Sequence, residues 1–226
     1  MSESTIKKLF MEKYPSGLSP DKDSYIFGDV LNLNEKELLI KNPEFFPKGK
    51  VLLSEVINES FSKQKVLDKL RTIVQSTAVS SRITSMIELA CDELIMNAFF
   101  NAPTLSGKFM YKHIDRSLNV FSPKPVSINL IEQEEEIVLS VKDSYGTLDI
   151  KKLIEKINNN LNRAEYVEPS EGTGAGIGLS FLILKNISLI ARVNPLACSE
   201  FFLYFPKKSI YKDFSKNGKV ISLKTF

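Results

Sequence analysis

The sequence predicts a two-layer α+β sandwich, with a mixed, mostly antiparallel sheet covered on one face by helices. Three observations predict it. The segments "VSINLIEQ" and "EIVLSVKDS" alternate apolar and polar residues and are joined by the acidic turn "EEE", the mark of paired strands. Two helical patterns, 61–77 and Ser81 to Ala102, precede them. After the paired strands come a helix, a loop, a second helix and two closing strands, "SLIARVN" and "SEFFLYF". Strands and helices in that order suit a layered sheet rather than a bundle or a barrel.

The elements follow from the N-terminus. "YPSGLSPDKD" (14–23) is turn-rich and separates a loose start from the fold. "SYIFGDVLNL" and "GKVLLSEVIN" carry the β-branched and aromatic bias of strands. Over 61–77, Val66, Leu67, Leu70, Ile73 and Val74 recur at helical spacing. Ser80 or Ser81 caps the next helix, which runs to about Ala102 and stops at Pro103. Residues 104–124 read as irregular, punctuated by Gly107, Pro123 and Pro125. "LDIKKLIEKINNNLNR" reads as a helix begun by Asp149, "AEYVEPSEGTGAGIG" as flexible, and "IGLSFLILKNI" as a helix.

Composition narrows the function. The 226 residues are enough for one good core, with 43% hydrophobic and 25% charged residues. A net charge of +3 is too small to argue for nucleic acid or a membrane surface. The stretch 207–219 holds five lysines and one aspartate and reads as a solvated tail. No run approaches the ~18–20 apolar residues of a membrane span, and the first residues lack a signal-peptide core, so a cytoplasmic location is expected. Cys91 and Cys198 are too few for a disulfide framework and read as buried reduced thiols.

The second helix carries the first chemical signal, "CDELIMNAFFNAP". Ile83, Ile87, Ala90, Leu94, Ile95, Ala98 and Phe99 make it apolar on most sides. Glu93, Asn97 and Asn101 nevertheless recur four residues apart, which places them in one row. A carboxylate on a largely buried helix needs compensation by water, a cation or a ligand. A carboxylate can orient or deprotonate a hydroxyl, and an amide oxygen one turn away is a hard donor suited to Mg²⁺. The same row would also mark the solvent edge of an amphipathic helix.

The second signal is "EGTGAGIGLSFL", where Gly172, Gly174, Gly176 and Gly178 alternate and lead into an apolar helix. Glycines let the backbone approach a ligand, and the helix start directs free N–H groups at the loop, which suits phosphate. A Rossmann fingerprint needs a preceding strand and a Walker loop needs Gly-Lys-Ser/Thr; neither is present. Between the two signals lies "LSVKDSYGTLD", with Asp143 at a strand end and Gly146 after it. Such an aspartate can accept a hydrogen bond from an exocyclic amine, or can start a turn.

In this order the three elements resemble the GHKL, or Bergerat-fold, ATPase superfamily. "DELIMNAFFNA" resembles its N box, "DSYG" its first glycine box and "GTGAGIGL" its second, over about residues 51–206. The resemblance implies a division into an N-terminal extension of unknown role (1–50), an ATP-binding domain (51–206) and a basic C-terminal tail (207–226). It implies that Glu93 is the general base and that Asn97 holds Mg²⁺. Asn101 would face the nucleotide and Asp143 would read the adenine amine. Gly146 would open a lid over 147–173, and Gly174, Gly176 and Gly178 would close over the phosphates of ATP. The first glycine box departs from the usual Asp-x-Gly-x-Gly: Tyr145 and Thr147 stand at its glycine positions.

Among branches of the superfamily, the chain most resembles the stand-alone anti-sigma-factor serine kinases. The lone histidine, His113, lacks the helix pattern of a phosphoacceptor, and 226 residues leave no room for chaperone or topoisomerase domains. The resemblance implies a regulatory Ser/Thr kinase acting on a protein partner of sigma-factor or antagonist type in bacterial signalling, as a possible homodimer. It also admits a catalytically weak switch in which ATP creates or hides a partner surface. Lys108 and Lys112 read equally as phosphate contacts or surface lysines.

Overall fold

The computed structural model describes residues 24–28, 42, 44–105, 120–150, 153, 187–207 and 220–225. Five antiparallel strands form the centre of the sheet: β2 (Lys50–Glu59), β3 (Phe121–Glu132), β4 (Glu136–Asp143), β5 (Ser188–Asn194) and β6 (Cys198–Pro206). Their spatial order is β5-β6-β4-β3-β2. Two further strands, β1 (Ser24–Gly28) and β7 (Val220–Thr225), extend the sheet past β5. β7 runs parallel to β5 and β1 antiparallel to β7, so the sheet is mixed and mostly antiparallel.

The sheet therefore reaches beyond 51–206 at both ends of the chain. β1 falls in "SYIFGDVLNL", where strand bias is visible. β7 falls in the stretch read as a basic tail, which needs correction for residues 220–225. The lysines up to Lys219 dominate that stretch by charge, while Val220, Ile221 and Leu223 supply the strand propensity behind them.

Two helices, α1 (Ser62–Gln75) and α2 (Ser81–Met96), pack on one face of the sheet. Val66, Leu70 and Val74 of α1 and Ile83, Ile87, Ala90 and Leu94 of α2 share one buried cluster with Leu53, Ile128, Leu139 and Leu203. Spacings of three and four align these positions on one side of each helix. Each fully buried Leu or Ile contributes roughly 1.5–3 kcal/mol by leaving water. Ser80 is the N-cap of α2: its hydroxyl accepts the Ile83 N–H at 3.4 Å, using a donor the first turn cannot satisfy itself.

The opposite face of the sheet is also buried. Ile131, Val138, Ile190, Phe202 and Tyr204 form a second cluster against Phe45, and the Phe46 ring meets Phe202 edge-on at 6.0 Å. Arg192 on this face donates to the carbonyls of Asn42 at 3.0 Å and Phe45 at 2.9 Å, tying the segment before β2 to the sheet. Its ring-stacked guanidinium lies 4.7 Å from the Phe202 centroid. Helices on one face do not exhaust the fold, and β6 shows why: "FFLYF" is apolar at consecutive positions, as a strand covered on both sides requires.

Two expected boundaries move. β3 starts at Phe121, inside the stretch read as irregular. Its Pro123 and Pro125 sit where the β2–β3 register jumps from Ile57↔Val126 to Glu59↔Phe121, a bulge that asks no N–H of them. The second helix does not end at Pro103. It widens into a π turn over Asn97–Asn101 and continues as α3 (Ala102–Leu105) through the proline. In a regular α-helix the Pro103 ring would press on the carbonyl four residues back and leave it without a donor; a π turn directly upstream relieves both. Cys91 is buried as expected, and burial pushes its thiol up to about 12, while Cys198 is only half-buried. The helix read from Asp149 has its first turn, with the Leu153 N–H donating to the Asp149 carbonyl at 3.0 Å. The rest of that helix, the glycine loop and the helix after it lie outside the described residues.

Candidate functional site

The row on the second helix forms as the spacing predicts, and its members bond to one another. Glu93, Asn97 and Asn101 are all half-buried. The Asn97 side-chain nitrogen donates to Glu93 Oε1 at 3.3 Å, and the Asn101 nitrogen donates to Asn97 Oδ1 at 2.5 Å. The row spans the change from α2 to the π turn, whose closing bond runs from the Ala102 N–H to the Asn97 carbonyl. That extra residue per turn turns Asn101 relative to an α-helical position. It is not legible from a spacing of four.

Asp143 ends β4 and is buried at 7% exposure. Its Oδ1 accepts the backbone N–H groups of Tyr145 at 2.8 Å and Gly146 at 3.2 Å, an Asx turn. Ser199 stands directly opposite Asp143 in the β4–β6 register, and its hydroxyl accepts the Leu148 N–H at 3.4 Å. Burial pushes the Asp143 carboxyl above the usual aspartate value, and the Tyr145 and Gly146 N–H groups, with Ser199 beside them, offset only part of that rise. A ligand amine would therefore join a carboxylate that already holds its turn.

Gly146 has φ +65° and touches the β5–β6 turn closely: a Cβ built on it would lie 2.2 Å from the Asn194 carbonyl oxygen. It is a fixed joint between two turns, with the Leu196 N–H donating to its carbonyl at 3.3 Å. Tyr145, at a glycine position of the resembled motif, is buried, and its hydroxyl lies 2.7 Å from Ser122 Oγ. Lys124 places its ammonium 5.3 Å from the centre of the Tyr145 ring and donates to the Ser144 carbonyl at 2.5 Å. The turn after Asp143 is thus pinned to β3. Ser122, Lys124 and Ser199 carry no motif, and only strand pairing brings them to the site.

A bond from Thr147 Oγ1 to the Ala102 carbonyl at 3.2 Å joins the helix row to the Asp143 turn. The structure thereby joins the end of the π turn to the loop after β4. Gly174, Gly176 and Gly178, most of the expected lid, and His113, Lys108 and Lys112 lie outside the described residues. The donor set suits a hard cation: the Glu93 carboxylate and Asn97 Oδ1 are oxygen donors of the kind Mg²⁺ takes alongside phosphate oxygens and water. Among the described residues no three His, Cys, Asp or Glu side chains come together, so a cation at this row would depend on one or two protein oxygens and on its ligand. Among the described residues no helix is long and apolar enough to cross a membrane. No protein-family model matches the chain, and no curated protein matches it.

Proposed function

We propose that this protein binds ATP with Mg²⁺ in the manner of the GHKL superfamily and acts as an anti-sigma-like Ser/Thr protein kinase on a partner protein. The observation that carries the reading is the link between the two halves: the Glu93–Asn97–Asn101 row and the Asp143 turn are joined through Thr147 and Ala102. Asn97 Oδ1 would hold the cation, which neutralises phosphate charge during transfer. Glu93 is within reach of Asn97 and would orient the acceptor hydroxyl. Phosphoryl transfer asks little more of a protein than such positioning and electrostatics. Asp143 would face the base, its carboxylate kept at one angle by two backbone N–H groups.

A second reading, a nucleotide-dependent binding switch with little turnover, draws on Tyr145. The pinned Tyr145 turn offers less hinge freedom than a glycine pair would. Calorimetry with ATP and Mg²⁺, followed by transfer of labelled phosphate to a co-purifying partner, separates the readings. Binding with transfer that Glu93→Gln abolishes supports the kinase. Binding without transfer or hydrolysis supports the switch, and no nucleotide binding rules out both.

A further inference from the structure

The hydrogen bonds along the helix row fix the direction of each amide. Glu93 offers carboxylate oxygens, which accept, so Asn97 must turn its NH₂ toward Glu93. Its oxygen therefore faces Asn101, which must in turn present its own NH₂, and does so at 2.5 Å. The carboxylate thus orders two successive amides in one sense. The oxygen so directed, Asn97 Oδ1, is the donor a cation needs. It has a second lone pair, but a cation placed there would face the positive end of the Asn101 amide dipole.

We infer that Asn101 is a latch on the cation-binding oxygen of Asn97, and that a divalent cation arriving with a nucleotide must displace it. The inference rests on the ATP·Mg²⁺ reading and reverses the role that resemblance gives Asn101: it opposes cation binding where a ligand-facing residue would favour it. The π turn supplies the geometry, because Asn97 to Asn101 is the whole of that turn. Asn101 is the last residue of the π turn and adjoins Ala102, whose carbonyl receives Thr147.

The test is Mn²⁺ binding by electron paramagnetic resonance with ATP present, using the full chain and the variants Asn101→Ala, Asn101→Ser and Asn97→Ala. A released neutral hydrogen bond predicts that Asn101→Ala and Asn101→Ser tighten the Mn²⁺ Kd about three- to tenfold. Asn97→Ala removes the cation dependence of nucleotide affinity. Unchanged or weaker Mn²⁺ binding by both Asn101 variants overturns the latch while leaving the nucleotide reading intact. A wild-type chain that binds no nucleotide with either cation overturns that reading, and the latch with it. A second readout needs no variant: the Asn101 side-chain amide protons, followed by NMR hydrogen exchange, are protected in the free protein and lose protection with ATP and Mg²⁺. Equal protection in both states also overturns the latch.

Discussion

Arg192 Nη2 meets Glu200 Oε2 at 2.5 Å inside the sheet's second face, and both side chains are about nine-tenths buried. They are register partners on β5 and β6, so the strand pairing itself holds them together. Removing one partner leaves a buried charge alone, which costs about 3–5 kcal/mol. Glu200→Gln and Arg192→Met should each lower the urea midpoint sharply. The double variant Arg192→Met with Glu200→Leu should recover the part due to the stranded charge, because an apolar pair suits the neighbouring Phe202, but not the bonds from Arg192 to the Asn42 and Phe45 carbonyls. Urea unfolding of the three chains checks this.

Asp143 gives a pH dependence with a defined sign. Burial raises its folded carboxyl above the ordinary value of 3.8, so the folded state holds the proton more tightly than the unfolded chain. Its contribution to stability therefore falls as pH rises from that ordinary value through the raised folded value, and levels off above it. Asp143→Asn keeps an oxygen for the Tyr145 and Gly146 N–H groups but has no carboxyl to titrate. The stability of the variant relative to wild type should rise with pH across that window. Urea unfolding at several values between about pH 4 and pH 7 reads the trend, and a flat difference would argue against it.

Gly146→Ala should be costly whatever the site binds. The residue sits at φ +65°, and the added methyl would meet the Asn194 carbonyl at 2.2 Å. Left-handed backbone at a non-glycine residue alone costs about 1–2 kcal/mol, and relief of the clash must move the β5–β6 turn. A loss above about 2 kcal/mol in thermal unfolding is expected.

Tyr145 separates structure from motif. Tyr145→Phe loses the contact with Ser122 Oγ and should cost about 1 kcal/mol. Tyr145→Gly restores the glycine of the resembled box but empties a fully buried aromatic site, at about 3–5 kcal/mol. Thermal unfolding ranks the two. A glycine variant as stable as wild type would show that the ring does not anchor the turn.

Sequence patterns revealed the parts governed by local physics. α1 and α2 follow from apolar residues at spacings of three and four, the cap from Ser80, and β4 to β6 from their apolar runs. The polar row was legible because one helix face carries it. What stayed hidden depends on the third dimension. The π turn lies directly before Pro103, where a regular ladder would clash with the proline ring. β7 lies behind a lysine run that masks it, and Ser199 reaches Asp143 only through strand register. The second buried face is visible in "FFLYF" once β6 is known to be central. Glu93 on a largely apolar helix and Asp143 at a strand end also suggested a need for outside partners, whereas the protein itself supplies several: Asn97 for the first, and the Tyr145 and Gly146 N–H groups for the second.

The parallel pairing of β7 on β5 has a consequence for how the chain can be shortened. Leu189 to Val193 lie beside Ile221 to Thr225, so among the described residues the last strand is the sheath over that border of the central sheet. A chain cut after Lys207 keeps every residue of the proposed pocket yet uncovers the backbone amides and carbonyls of β5. An uncovered border of that kind recruits strands from neighbouring molecules. Such a shortened protein should bind its ligand in dilute solution and self-associate on concentration, which light scattering against protein concentration reads.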